Sequence, residues 1–229
     1  MESSKELLAR LEKYLGTFDW NSLTTSKQVI LEGFLRVATR DGIASVSMRT
    51  LAAAVGLKPP TIYSHFPGGR EEILSNALRW HYNHYAHGLF EALKNLRAPE
   101  EGWYALINFH IRQQLQRPEN DIWDTLIATD RIAKLLPEGL REEIEDWEGF
   151  VDFMYFSIAQ NLGAKQCSIE ARALRKLFDS IGAWWKWDGS EASMEATSQA
   201  DAISIARENP VTSDENDGSL LDLSKRDYY

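Results

Sequence analysis

The stretch VSMRTLAAAVGLKPPTIYSHFPGGR, Val46 to Arg70, decides the reading of this chain. Ser47 is an N-cap residue, because its hydroxyl can accept a hydrogen bond from an unpaired N–H of a first helical turn. Leu51, Ala54 and Val55 follow at helical spacing and give a short helix one apolar face. Gly56 stands where that helix ends, a position that asks for positive φ. Pro59 and Pro60 then open a second helix, where a missing N–H has no partner to lose and the fixed φ suits helix entry. Ile62 and Phe66, four apart, face inward. Thr61, Tyr63, Ser64 and His65 are left on the outer faces, and Pro67, Gly68 and Gly69 stop the helix.

Two short helices joined by a tight glycine turn form a helix-turn-helix, whose second helix enters the DNA major groove. The outward residues suit that task. Thr61 offers a methyl to thymine or a hydroxyl to a phosphate, Tyr63 and His65 donate to phosphates, and Arg49 carries two donors for a guanine edge. The same spacing also fits a surface helical hairpin with no nucleic-acid role.

From Thr25 to Leu74 the sequence resembles the TetR family of transcriptional regulators. The likeness rests on a long first helix (VILEGFLRVATRDG), a short second one (SMRTLAAAVGL), and a recognition helix ending in Tyr-x-His-Phe. It implies DNA contacts from Ser47, Arg49, Lys58, Pro59, Pro60, Thr61, Tyr63, Ser64 and His65. Arg70 takes the place of the family's phosphate-binding Lys, after a PGG spacer. Pro59 stands where a polar residue is common. The resemblance further implies an all-α fold: an N-terminal three-helix DNA-binding domain followed by a helical ligand-binding and dimerisation domain.

Charge agrees with a two-part chain. The 229 residues carry a net charge of −9, yet Thr24 to Arg70 is +4 and the remainder −13. A basic module on an acidic body presents one end to phosphate. Helix formers dominate, and no glycine-rich nucleotide loop follows a strand, so an all-α chain is expected. Cys167 is the single cysteine, in keeping with a reducing cytoplasm. The N-terminus has no signal-peptide core, and no segment approaches the roughly 20 apolar residues of a membrane span.

Outward from the head, the expected organisation is an N-terminal extension over 1–24, the DNA-binding domain over 25–70, a helical body over 71–208 and a flexible acidic tail over 209–229. Ser3 and Glu6 have capping-box spacing, and Leu7, Leu8, Leu11 and Leu15 form a stripe that favours docking on the protein over an arm along DNA. Thr25 and Gln28 are a second capping box. Gly33 allows close helix approach, and Gly42 is a C-cap. Arg70 to Leu96 is one long helix linking head to body. The next helix carries Trp103, Leu106, Ile107, His110 and Ile111. Asp121 to Leu136 is another, with Ile122, Trp123, Leu126, Ile127 and Ile132 inward.

Helices at about 138–162 and 168–187 resemble the family's paired dimer helices, with Leu174, Leu177, Phe178, Ile181, Trp184 and Trp185 inward on the second. A homodimer on a palindromic operator is expected, since one helix-turn-helix reads few bases. A further helix is expected from Ser193 to Glu208.

The body has no nucleophile elbow and no metalloprotease-type His pair, so no enzyme, cofactor or resident metal is expected. Its rings point instead to a pocket for a small apolar or aromatic effector, with Trp80, His84, His87, Trp103, His110, Trp123, Trp147 and Tyr155 as lining candidates. The alternative is an all-α metal-dependent enzyme using His81, His84, His87 and His110, although a spacing of three and three drifts around a helix.

Overall fold

The computed structural model describes residues 4–96, 98–117, 119–162 and 168–198, and among these it is helical with no strand. The helices are α1 (Ser4–Leu15), α2 (Thr25–Asp41), α3 (Met48–Val55), α4 (Pro59–His65), α5 (Gly69–Leu93), α6 (Pro99–Gln116), α7 (Glu119–Ala133), α8 (Glu138–Asn161), α9 (Ser168–Asp179) and α10 (Ile181–Trp184). Residues 191–198 form a further helical segment, α11. The expected Ser3 cap, Cys167, the far half of the 193–208 helix and the acidic tail lie outside the described residues. No described helix is long and apolar enough to cross a membrane.

Two apolar cores divide the molecule. The first joins Ile30, Phe34 and Val37 of α2, Leu51 of α3, Ile62 of α4 and Ile73, Ala77 and Leu78 of α5. It continues into α7 and α8 through Trp123, Leu126, Leu140 and Ile144. The second gathers Leu89, Trp103, Leu106, Ile107, Trp147, Val151, Tyr155 and Phe178. The long helix α5 feeds its first half into one core and its second half into the other. It is thus a continuous strut between head and body.

The N-terminal helix docks, as its stripe implied. Leu7 and Leu11 are buried in the second core, Tyr14 lies on Trp147 with ring centroids 4.4 Å apart, and α1 packs along α5. Arg10 sits over the faces of Phe150 and Phe153 at 4.8 and 4.9 Å.

Several boundaries differ from expectation for local reasons. The α2 cap is Thr24 rather than Thr25. Thr24 is the extended residue whose hydroxyl accepts from Lys27 N at 3.4 Å, while Gln28 donates to the Leu23 carbonyl instead. Helix α7 stops at Ala133 because buried Asp130 gathers the chain that follows. It accepts from Leu136 N at 2.7 Å and from Arg141 Nε at 2.7 Å. The chain turns there, and Ile132, expected inward, is 90% exposed. The expected helix 168–187 breaks at Ser180 into α9 and α10, and Leu177 and Trp184 lie outward rather than in the core.

Candidate nucleic-acid interface and effector cavity

The head is set by local chemistry. Ser47 Oγ accepts from Thr50 N at 3.1 Å, and Thr50 Oγ1 accepts from Ser47 N at 2.9 Å, a reciprocal cap that fixes where α3 begins. Gly56 ends α3 in the left-handed region, at φ 68° and ψ 25°. A side chain there would be strained, so the glycine sets the turn into α4. Close approach of α2 and α3 is set by Gly33, where an added Cβ would lie 2.2 Å from Val55 Cγ1. Pro59 and Pro60 occupy the first turn of α4, and Ile62 and Phe66 anchor it inward.

The outer face of this helix pair holds the expected DNA contacts. Arg49, Lys58, Pro60, Thr61, Tyr63 and Ser64 are exposed, Pro59 and His65 half-buried. Tyr63 keeps 47% of its surface in solvent, unusual for a ring beside a core. Two members have work inside the fold. The Ser47 hydroxyl is engaged with Thr50, and Ser64 Oγ donates to the Thr61 carbonyl at 2.7 Å. Arg70 turns inward: its Nε donates to the Val46 carbonyl at 2.6 Å and its Nη2 to the Ile43 carbonyl at 2.8 Å. It therefore ties the start of α5 to the turn before α3, a role its sequence position did not disclose.

In the body, side chains from five helices line a cavity of about 50 Å³. Tyr82 and Tyr85 come from α5, His110 and Gln114 from α6, Trp123 and Asp124 from α7, Trp147 and Glu148 from α8, and Arg175 and Asp179 from α9. The rings form one cluster, with Tyr82 and Tyr85 centroids 5.9 and 6.2 Å from Trp147. The cavity is not the apolar chamber expected. Arg175 faces Asp179, Asp152 and Glu148, and Lys176 adds a second cation to Glu148 and Asp179.

His110 bridges the layers, with Nδ1 2.7 Å from Tyr155 Oη and Nε2 3.0 Å from Asp179 Oδ1. Burial alone would raise the Asp179 carboxyl, but the His110 hydrogen bond and the nearby cations outweigh it and hold it at about 2. Asp124 goes the other way: burial, then the Asp179 charge, pushes it up to about 7 against the Gln114 hydrogen bond.

Of the eight lining candidates, His110, Trp123 and Trp147 meet at this cavity. Trp103 and Tyr155 are buried in the body core beside it, Tyr155 behind His110. Trp80 and His84 line a different space, a cleft of about 570 Å³ between α2, α5 and the α6–α7 turn, with Arg36 and Arg40 opposite. His84 is exposed and bonds back to the Trp80 carbonyl at 2.8 Å, and His87 is exposed. These five are separated from the cavity because their helix faces diverge.

Tyr82, Tyr85, Gln114, Asp124, Glu148, Arg175 and Asp179 line the cavity too and were not among the lining candidates. One signal was present: Arg175 interrupts the buried stripe Ala171, Leu174, Phe178. The metal alternative finds no support. Among the described residues no group of three or more His, Cys, Asp or Glu is placed to hold a metal ion. His81 is held neutral, its pKa pushed down to about 3 by burial and then by Arg117 and His84.

Residues 30–77 match the family model of bacterial regulatory proteins, tetR family. No curated protein matches the chain in sequence. Solved structures share its fold. The TetR family transcriptional regulator PfmR from Thermus thermophilus is 22% identical, with TM-score 0.64 over 78% of this chain and 97% of that one. AibR, solved with isovaleryl coenzyme A and operator DNA, is 18% identical, with TM-score 0.59 over 78% and 96%. A transcriptional regulator from Saccharomonospora viridis, solved with choline, is 20% identical, with TM-score 0.62 over 80% and 96%. Through the match over residues 30–77, on a body with the same all-helical fold, the chain carries the helix-turn-helix head of the TetR family of transcriptional regulators.

Proposed function

We propose that the protein is a ligand-responsive transcriptional repressor that holds a palindromic operator as a homodimer and leaves it when a small effector enters the body cavity. The observation that carries this reading is Trp123. It lies in the core that includes the head helices, and it also lines the body cavity. Its neighbour on α7, Leu126, belongs to the same head-side core, and α7 packs on α2. A ligand that moves α7 therefore acts on the head directly, as well as through α5.

A ligand shifts such an equilibrium only through its differential affinity for the two head spacings, and a coupling of about 1–3 kcal/mol is typical. Recognition helices reading successive major grooves must sit about 34–36 Å apart. A small change of α5 and α7 tilt is enough to spoil that register. In AibR one regulator of this fold binds both operator DNA and a small ligand, which supports the two-site reading.

Dimerisation falls to α8 and α9. Leu177 and Trp184 stand 46% and 47% exposed beside them, and the Phe153 and Phe156 rings, 6.5 Å apart, are only half-buried. A two-fold contact covers such a face with its own copy. The site of action is the cytoplasm, where an operator is found.

The test uses a duplex recovered by selection from random DNA. Arg49→Ala and Tyr63→Phe should each weaken binding in a gel-shift titration while sedimentation still reports a dimer. Unchanged affinity in both variants would overturn the assigned interface.

A further inference from the structure

The charges around the body cavity balance except at one position. Glu148 has Lys176 at 2.9 Å, Asp152 has Arg172 at 3.0 Å, and Asp179 has Arg175 and Lys176 at 3.2 Å. Asp124 stands outside this lattice. Gln114 Nε2 donates to its Oδ2 at 3.1 Å, and no ion pair among the described residues includes it. With its nitrogen committed, Gln114 keeps Oε1 buried without a donor, on a side chain that is itself 8% exposed.

Asp124 and Gln114, whose Oε1 lacks a donor, thus both line a cavity walled by Tyr82, Tyr85, Trp123 and Trp147. Aromatic faces are the negative side of the ring quadrupole and attract cations. A neutral apolar guest would leave Gln114 Oε1 without a donor and the Asp124 carboxylate without a cation, which is costly in a buried site. An anion would meet three carboxylates, Asp124, Glu148 and Asp179, against the one lining cation, Arg175.

We propose that this cavity binds a small protonated amine, its ammonium donating to the Asp124 carboxylate and Gln114 Oε1 with the aromatic rings around it. The inference rests on reading the cavity as the effector site. The volume of about 50 Å³ confines the buried part to an ammonium head and one or two carbons. A longer tail leaves past Tyr82 and Trp147, which also line a groove of about 680 Å³ beneath α1.

Proton chemistry supports the geometry. Burial, with Asp179 and Glu148, holds the Asp124 carboxyl at about 7 against Gln114 and Lys176. An entering ammonium displaces that proton, so binding tightens as pH rises through 7. On the other helices around the cavity, His81 stays neutral, Tyr82 and Tyr85 are raised further from ionisation, and Arg175 stays charged. His110 also lies there, so the pH dependence is assigned by changing Asp124 itself.

The experiment titrates the full chain with ethanolammonium chloride and with 1-propanol, its neutral isostere, at matched ionic strength. Tryptophan fluorescence and thermal shift are followed at pH 6 and pH 8. The amine should saturate the fluorescence change and raise Tm, about tenfold more tightly at pH 8 than at pH 6. 1-Propanol should give no saturable response. Asp124→Asn, which keeps the shape and removes a buried charge, and Gln114→Leu should each lose at least tenfold in affinity.

Equal responses to the two probes, no saturable binding of either, or unchanged binding by Asp124→Asn would overturn the proposal. Operator binding separates this from the regulatory reading. Amine binding that leaves operator affinity unchanged upholds the amine site and overturns effector release. Operator release by a neutral ligand, with no response to the amine, overturns the amine site and leaves the regulator.

Discussion

The head and the body solve different problems. In the head, Arg70 apart, the functional residues sit within one or two turns of what positions them: Ser47 on Thr50, Gly56 at the α3 end, Pro59 and Pro60 at the α4 start. In the body the cavity exists only because five helices converge, and its ion pairs join α8 to α9. A local design is robust to changes elsewhere. A networked one is sensitive to any member.

The largest expected effect follows from that contrast. Arg175, 6% exposed, faces Asp152, Asp179 and Glu148. Arg175→Met leaves three acids short of a cation and should cost about 3–5 kcal/mol in denaturant unfolding. A loss under about 1 kcal/mol would mean that the network is solvated and the body no more cooperative than the head.

The matching change in the head is Gly33→Ala. Its Cβ would be placed 2.2 Å from Val55 Cγ1, forcing α2 and α3 apart. We expect about 1–3 kcal/mol of destabilisation, with operator binding lost in step with head unfolding. Exposed Arg49 is the control: Arg49→Ala should lower operator affinity by about 1–3 kcal/mol and leave Tm unchanged. If Tm falls as well, Arg49 serves the fold and the local reading of the head is too simple.

Asp124 gives the sharpest sign. Its folded pKa of about 7 lies above the ordinary carboxyl value of 3.8, so the native state binds more protons between those limits. Stability contributed by this group is fully present below about pH 4 and is lost as pH rises to about 7. Asp124→Asn should therefore stabilise the protein by about 1–3 kcal/mol at pH 8 and by little at pH 4, read from paired denaturation curves.

The sequence disclosed the head because caps, proline entry and glycine exit act between neighbours. Ile62 and Phe66 inward with Tyr63 outward could be read from spacing four residues long. Arg70 escaped because its acceptors, Val46 and Ile43, lie 24 and 27 positions away. The body was legible as helices and apolar stripes but not as a site. Rings at helical spacing fill cores and cavities alike, so Trp103 and Tyr155 were indistinguishable from Trp123 and Trp147. On α9 the buried Leu174 and Phe178 were legible as an apolar stripe, but Leu177 was read with them, and the stripe left Arg175 and Asp179 unread. Ile132 failed because Asp130 folds the chain back before the periodic pattern runs out.

The central claim is that the exposed face of α3 and α4 reads DNA as part of a two-fold pair. Selection of bound sequences from a random duplex library at low salt, with the purified full chain, tests it most directly. We expect an enriched palindrome with half-site centres one helical turn or a multiple apart, lost in Arg49→Ala. No enriched sequence, or a single unpaired half-site, would contradict it.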